Sequence, residues 1–178
     1  MASRAGLGPT PPVTIEPMLA ADADAVLAIY RQGIAGGDAT LETATPDWGN
    51  WDRGHRPDCR FVARDAAGRA LGWAALSPYS PRDVYRGVAW ESVYVALDAR
   101  GHGVGRSLLE ALIAASEAAG VWSLQAGVLI ENVASLAVHE RVGFRRIGVQ
   151  KRLGRDARGR WRDVVLLERR SATVGPAG

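Results

Sequence analysis

Apolar and polar residues alternate along VTIEPM (13–18), and that period of two predicts a first strand. Between Ala21 and Ala35 the apolar positions recur at 25, 26, 29 and 30, the spacing of an amphipathic helix, and Gly36–Gly37 supplies its stop. The stretch 40–58, TLETATPDWGNWDRGHRPD, is mixed. Pro46 is suited to a helix start there, and Trp48, Trp51 and His55 are unusual company for a surface loop. In CRFVARDAAGRALGWAALSPYS (59–80) two strand-like runs flank D-A-A-G-R, a hairpin signature. After the loop SPRDVYRGV come a strand at 89–97, the stretch RGHGVG (100–105), and a helix from about 106 to 119 closed by Gly120. A buried strand at 121–129 follows, then a short helix at 132–142 with Asn132 as its N-cap and Gly143 as its stop. FRRIGVQKRL and RWRDVVLLERR are two final strands turned by GRDARG. The order β α (α) β β β α β α β β, with no internal repeat and no linker, predicts a single mixed α/β (α+β) domain.

Composition narrows the picture. The chain has 178 residues, enough for a sizeable core in one domain. Apolar content of 47% and charged content of 23% are ordinary for a globular chain. No apolar run reaches membrane-spanning length, and MASRAGLGPTPP lacks the apolar core of a secretory signal. Residues 1–12 and 171–178 read as loose tails around a domain at 13–170. The single cysteine, Cys59, rules out an internal disulfide, reads as a buried structural thiol, and fits the cytoplasm.

The net charge of +3 is uneven. From Arg145 to Arg170 there are ten Arg or Lys against Asp156, Asp163 and Glu168. That excess raises nucleic acid as a partner. However, only one of the 22 basic residues is lysine, no basic tail is present, and no aromatic residues are interleaved for base stacking. A basic wall facing an anionic cofactor accounts for the excess equally well, and a nucleic-acid partner is not expected.

The candidate chemistry lies in RGHGVG. A helix N-terminus offers unpaired N–H groups and the positive end of the dipole, which together bind phosphate. Glycine lets the backbone approach such a ligand without a Cβ. Arg100, Gly101, His102, Gly103, Val104, Gly105 and Arg106 are therefore the candidate phosphate cradle, although a tight turn alone would look much the same. Neither the Walker pattern nor G-x-G-x-x-G fits, because Gly105 is followed by Arg106–Ser107 and Leu108.

The pattern R/Q-x-x-G-x-G/A does fit, at Arg100, Gly103 and Gly105, after a strand carrying VYV and before a long helix. Here the chain resembles the GCN5-related N-acetyltransferases, whose loop of this form holds the pyrophosphate of acetyl-CoA. Asn132, His139 and Gly143–Phe144 reproduce the spacing of a second signature of that superfamily, with His in place of Tyr. Within it the chain resembles the phosphinothricin acetyltransferase-like branch. The matches are Ile29–Tyr30, T-x-E-T (40–43), S-V-Y-V (92–95), G-x-G-x-G (101–105), E-N-x-A-S-L-x-x-H-E-x-x-G-F (131–144) and G-x-W-x-D (159–163).

The resemblance implies a mixed, mostly antiparallel sheet flanked by helices, a homodimer, and acetyl transfer from acetyl-CoA to the amine of a small amino acid or an analogue such as phosphinothricin or methionine sulfoximine. It implies that the Val93 and Val95 backbones pair with pantetheine and that Asn132 and Ser135 hold the pantetheine or phosphate region. His139 takes the place of the acid. The attacking amine must lose a proton, so a base is needed. The branch usually carries Glu two residues before S-V-Y, where this chain has Trp90; its glutamate is Glu91. A one-residue shift in a regular strand reverses the face of a side chain, and a β-bulge would restore its aim. Glu91 is the expected base; failing that, solvent, His139 or another group takes the proton. Arg82 and Arg86, four apart, suit bidentate capture of an acceptor carboxylate. His55 and His102 are too scattered for a metal site, and no metal is expected. The alternatives are transfer to a peptide N-terminus, lysine or polyamine, or a non-catalytic domain that binds acyl-CoA or nucleic acid.

Overall fold

The computed structural model describes residues 13–175. The two expected tails fall largely outside that span, at 1–12 and 176–178. Seven strands form one sheet in the order β1-β2-β3-β4-β5-β7-β6. They are β1 (Thr14–Pro17), β2 (Arg60–Arg64), β3 (Ala70–Pro78), β4 (Val88–Val95), β5 (Ser123–Leu129), β6 (Arg145–Arg155) and β7 (Trp161–Arg170). The helices are α1 (Ala23–Gly36), α2 (Trp48–Gly54), α3 (Val104–Ala118) and α4 (Val133–Arg141). The expected element order is reproduced, and every strand pair is antiparallel except β4–β5.

Two helix starts differ from expectation. The second helix opens at Trp48, not at Pro46, because Asp47 is the better cap: its carboxylate accepts from the Asn50 N–H at 2.8 Å. The third opens at Val104, two residues early, with Gly103 at the N-cap. The loop before β4 also contains a single helical turn at Asp83–Tyr85.

Side chains alternate along β4. Tyr94 stacks on Trp73, whose indole donates to the Val26 carbonyl of α1 at 3.1 Å. Even-numbered positions of β4 thus face α1. Odd-numbered positions face α3 and α4, where Val104, Leu108 and Leu112 are buried against the sheet. Burying side chains of this size stabilises by about 1.5–3 kcal/mol each. Gly33 lets α1 come close to β4: a Cβ there would lie 2.8 Å from the Tyr94 ring.

Trp51 belongs to this core and Trp48 packs against it, which accounts for the tryptophans that looked odd in the sequence. Cys59 is wholly buried, and burial pushes its thiol up to about 11, which suits a structural residue rather than a nucleophile. Among the described residues, no helix is long and apolar enough to cross a membrane.

Candidate active site

The β4–β5 pairing is short. It joins Val88, Ala89 and Trp90 to Ser123, Leu124 and Gln125, while β5 stays paired with β7 along its whole length. Beyond Trp90 the two strands part, leaving a cleft in the middle of the sheet. Ala96 N–H donates to the Leu71 carbonyl at 2.8 Å, on the β3 side. Alternation from that point aims the backbone groups of Ser92 and Tyr94 at β3 and those of Val93 and Val95 into the cleft. Val93 and the Val95 N–H therefore offer a free hydrogen-bonding edge, the arrangement by which an extended ligand adds to a sheet.

At one end of the cleft lies the glycine stretch. Gly101 and Gly103 both adopt φ of +80°, and a Cβ at either would meet nothing within 4 Å. The first hydrogen bond of α3 there runs from Ser107 N–H to the Gly103 carbonyl. No side chain caps the helix, so Val104, Gly105 and Arg106 present N–H groups without helical acceptors. Arg100 Nε donates to the Val95 carbonyl at 3.3 Å, and Arg106 pairs with Glu110 at 2.7 Å. The N-terminal turn of α3 thus presents an open set of N–H donors next to Arg100 and the exposed strand edge. A diphosphate ester carrying an extended amide chain fits both features.

Deeper in the cleft is a pocket lined by Ala39, Glu91, Ser92, Val93, Tyr94, Gly127, Val128, Asn132, Ser135 and His139. Glu91 and His139 are only 8% and 1% exposed, and Nε2 of the ring lies 2.7 Å from Glu91 Oε1. The register of β3 with β4 is continuous from Gly72–Val95 to Pro78–Ala89, so no bulge re-aims Glu91. Its carboxylate points toward α4, while Trp90 points to the other face and stacks on Tyr79 at 5.7 Å. The partner of Glu91 is a histidine and not an arginine.

His139 Nδ1 lies 2.7 Å from the Ser135 carbonyl and 3.4 Å from the Ser135 hydroxyl. A carbonyl only accepts, so we assign a proton to Nδ1. The Nε2–carboxylate contact then holds one further proton, on either partner. Burial opposes a charged ring, but the Glu91 charge, the Glu91 hydrogen bond and the Ser135 carbonyl together outweigh it and hold His139 above its ordinary pKa. The second carboxylate oxygen, Oε2, is buried without a partner. Burial also raises the Tyr94 phenol, which stays protonated.

Asn132 caps α4 by accepting from the Ser135 N–H at 3.2 Å, and its amide donates to the Asp38 carbonyl at 3.0 Å. Arg82 and Arg86 are not brought into the pocket. Arg82 lies over the Tyr85 ring at 5.4 Å and Arg86 pairs with Asp83 at 3.2 Å, both exposed on the loop before β4. His55 is stacked on Trp51, and burial lowers its pKa. Among the described residues no group of three or more His, Cys, Asp or Glu could hold a metal. Sequence reasoning missed Ala39 and Tyr94 as pocket walls, since nothing in an alanine or a strand tyrosine signals that role.

A split parallel strand pair, a free strand edge and an uncapped helix N-terminus lie beside the buried Glu91–His139 pair, an arrangement open to an extended ligand with an anionic end. Residues 27–144 match the Acetyltransferase (GNAT) family, and the chain belongs to it. It is 35% identical over 153 residues to L-methionine sulfoximine/L-methionine sulfone acetyltransferase of Pseudomonas aeruginosa, covering 83% of this chain and 88% of the relative. It is 39% identical over 158 residues to phosphinothricin N-acetyltransferase of Alcaligenes faecalis, covering 83% and 77%. The fold matches the crystal structure of a phosphinothricin acetyltransferase from Sinorhizobium meliloti in complex with acetyl-CoA, with a TM-score of 0.82, 28% identity and 93% of each chain covered. The chain thus falls in the phosphinothricin and methionine-sulfoximine acetyltransferase-like branch, an N-acetyltransferase acting on a small amine with acetyl-CoA as co-substrate.

Proposed function

We propose that the acceptor is a small amino acid or analogue of the methionine sulfoximine and phosphinothricin type. The two relatives above carry this reading, being named for such amines and matching most of this chain. Bound acetyl-CoA supplies the activated acetyl group. The α3 N-terminus with Gly101–Arg106 holds the pyrophosphate, and Val93 and Val95 pair with the pantetheine arm.

The protein must then remove one proton from the attacking ammonium and return one to the departing thiolate. Glu91 and His139 line the pocket and share a proton already. Glu91 Oε2, unpartnered, accepts the amine's proton directly or through one water, and His139 Nε2 is the acid that returns it. Cleft-facing backbone N–H groups of β4 stabilise the negative charge that develops on the acetyl oxygen. Arg82 and Arg86, on the loop leading into β4, lie outside the pocket and take no part in this reading.

A panel of acceptors tests this reading. The kcat/KM for methionine sulfoximine and phosphinothricin should exceed that for a lysine peptide or a polyamine by about tenfold or more, the size of effect one lost charge-assisted contact produces. Joint replacement of Arg82 and Arg86 by Ala should leave that preference in place, since neither side chain enters the pocket. Equal use of a peptide N-terminus would favour a different acceptor.

A further inference from the structure

The cleft divides the sheet into two halves. One carries β1–β4 with α1, the other β5–β7 with α4. Among the described residues one buried guanidinium crosses between them. Arg162, on β7, is 5% exposed. Its Nη1 donates to the Gly37 carbonyl at 3.0 Å and to Asp156 at 3.2 Å. Its Nη2 donates to Asp38 at 2.7 Å and to Glu131 at 3.0 Å. Gly37 and Asp38 belong to the turn that leaves α1, with Gly37 at φ +77°. Glu131 lies between β5 and α4, and Asp156 in the turn from β6 to β7. Three separate segments therefore meet on one side chain.

The tie is reinforced from the pocket itself, because the Asn132 amide holds the Asp38 carbonyl. The next residue, Ala39, is a wall of the pocket that contains Glu91 and His139. A glycine pair ends α1, so the backbone of this turn has little stiffness of its own. Its position is set by what grips it. A guanidinium can grip three segments at once because it offers five donors in a fixed plane; an ammonium of the same charge cannot.

We propose that Arg162 is a positioning residue for the acceptor: it fixes the Gly37–Ala39 turn as a pocket wall and thereby sets how the amine meets the Glu91–His139 pair. The kinetic half of this proposal rests on the acetyl-transfer reading above; the structural half does not. Arg162→Met, Arg162→Lys and Asp38→Asn are compared with the unaltered protein by amide hydrogen exchange and by steady-state kinetics. In Arg162→Met, exchange at residues 37–42 should rise tenfold or more while the β3 and β4 amides stay protected. Arg162→Lys should recover part of that protection. The KM for the amine should rise tenfold or more, with the KM for acetyl-CoA within twofold. If Arg162→Met does not fold, Asp38→Asn keeps the guanidinium and its other two carboxylates and should show the same pattern more weakly.

Unchanged exchange at 37–42 in a folded variant overturns the proposal. So does a parallel rise in both KM values with protection lost across the whole sheet, which would mark a merely structural residue. If the unaltered protein turns over no amine, the acetyl-transfer reading fails, and the exchange data alone decide whether Arg162 holds the turn.

Discussion

Trp90 stands where the family pattern has its glutamate, and the glutamate of this chain comes one residue later, at Glu91. In a regular strand that shift puts the carboxylate on the α4 side, and the structure finds it there, against His139 at 2.7 Å. The consequence is that, against the opposing effect of burial, the Glu91 carboxylate holds the His139 ring above its ordinary pKa. Glu91→Gln should lower turnover about 100-fold or more near neutral pH, the range for loss of general acid–base help. His139→Gln should cost a similar amount, and the double variant little more than either alone, because the two act together. A second consequence concerns stability. The folded-state pKa of His139 lies above its unfolded value near 6.5. Its contribution is therefore fully present below about pH 6.5 and is lost as pH rises through the raised folded value. Thermal melts across that window should show the decline in the unaltered protein and a flatter profile in Glu91→Gln. The sequence made both residues candidates but left the aim of Glu91 open, because a bulge is decided by backbone pairing that one strand's residues do not reveal.

At the scale of elements, the site depends on two places where regular structure stops. β4 and β5 pair over three positions and then separate, and α3 begins without a side-chain cap. The glycine run was legible as the start of a helix, since three glycines between a strand run and an amphipathic run leave few other uses. The strand separation was not legible: SVYV and QAGVL would read alike whether paired or parted. Gly103 offers a test. At φ +80° an alanine should cost about 1–2 kcal/mol of stability from backbone strain alone, because its Cβ meets no protein atom. If the loop cradles phosphate, Gly103→Ala should also raise the KM for acetyl-CoA several-fold while leaving that for the amine nearly constant. Melting curves and the two KM values check this together.

The whole molecule is a sheet opened at its centre and held shut at its margins. Element order, hairpins and the buried tryptophans could be read from periodicity, because local burial patterns determine them. The contacts that join the halves could not. Arg162 appears in the sequence as one more arginine in a basic segment, and its partners Asp38 and Glu131 lie 124 and 31 residues away. Part of that segment's positive excess is matched by acids outside it, Arg146 pairing with Glu140 and Arg169 with Glu117 among them. The central claim is that this cleft moves an acetyl group from acetyl-CoA to a small amino-acid-like amine. Thiol release from acetyl-CoA, followed with methionine sulfoximine or phosphinothricin as acceptor, measures it directly. The account predicts saturable release that needs the amine and falls about 100-fold or more in Glu91→Gln. No release with either amine, or an undiminished rate in Glu91→Gln, would contradict it.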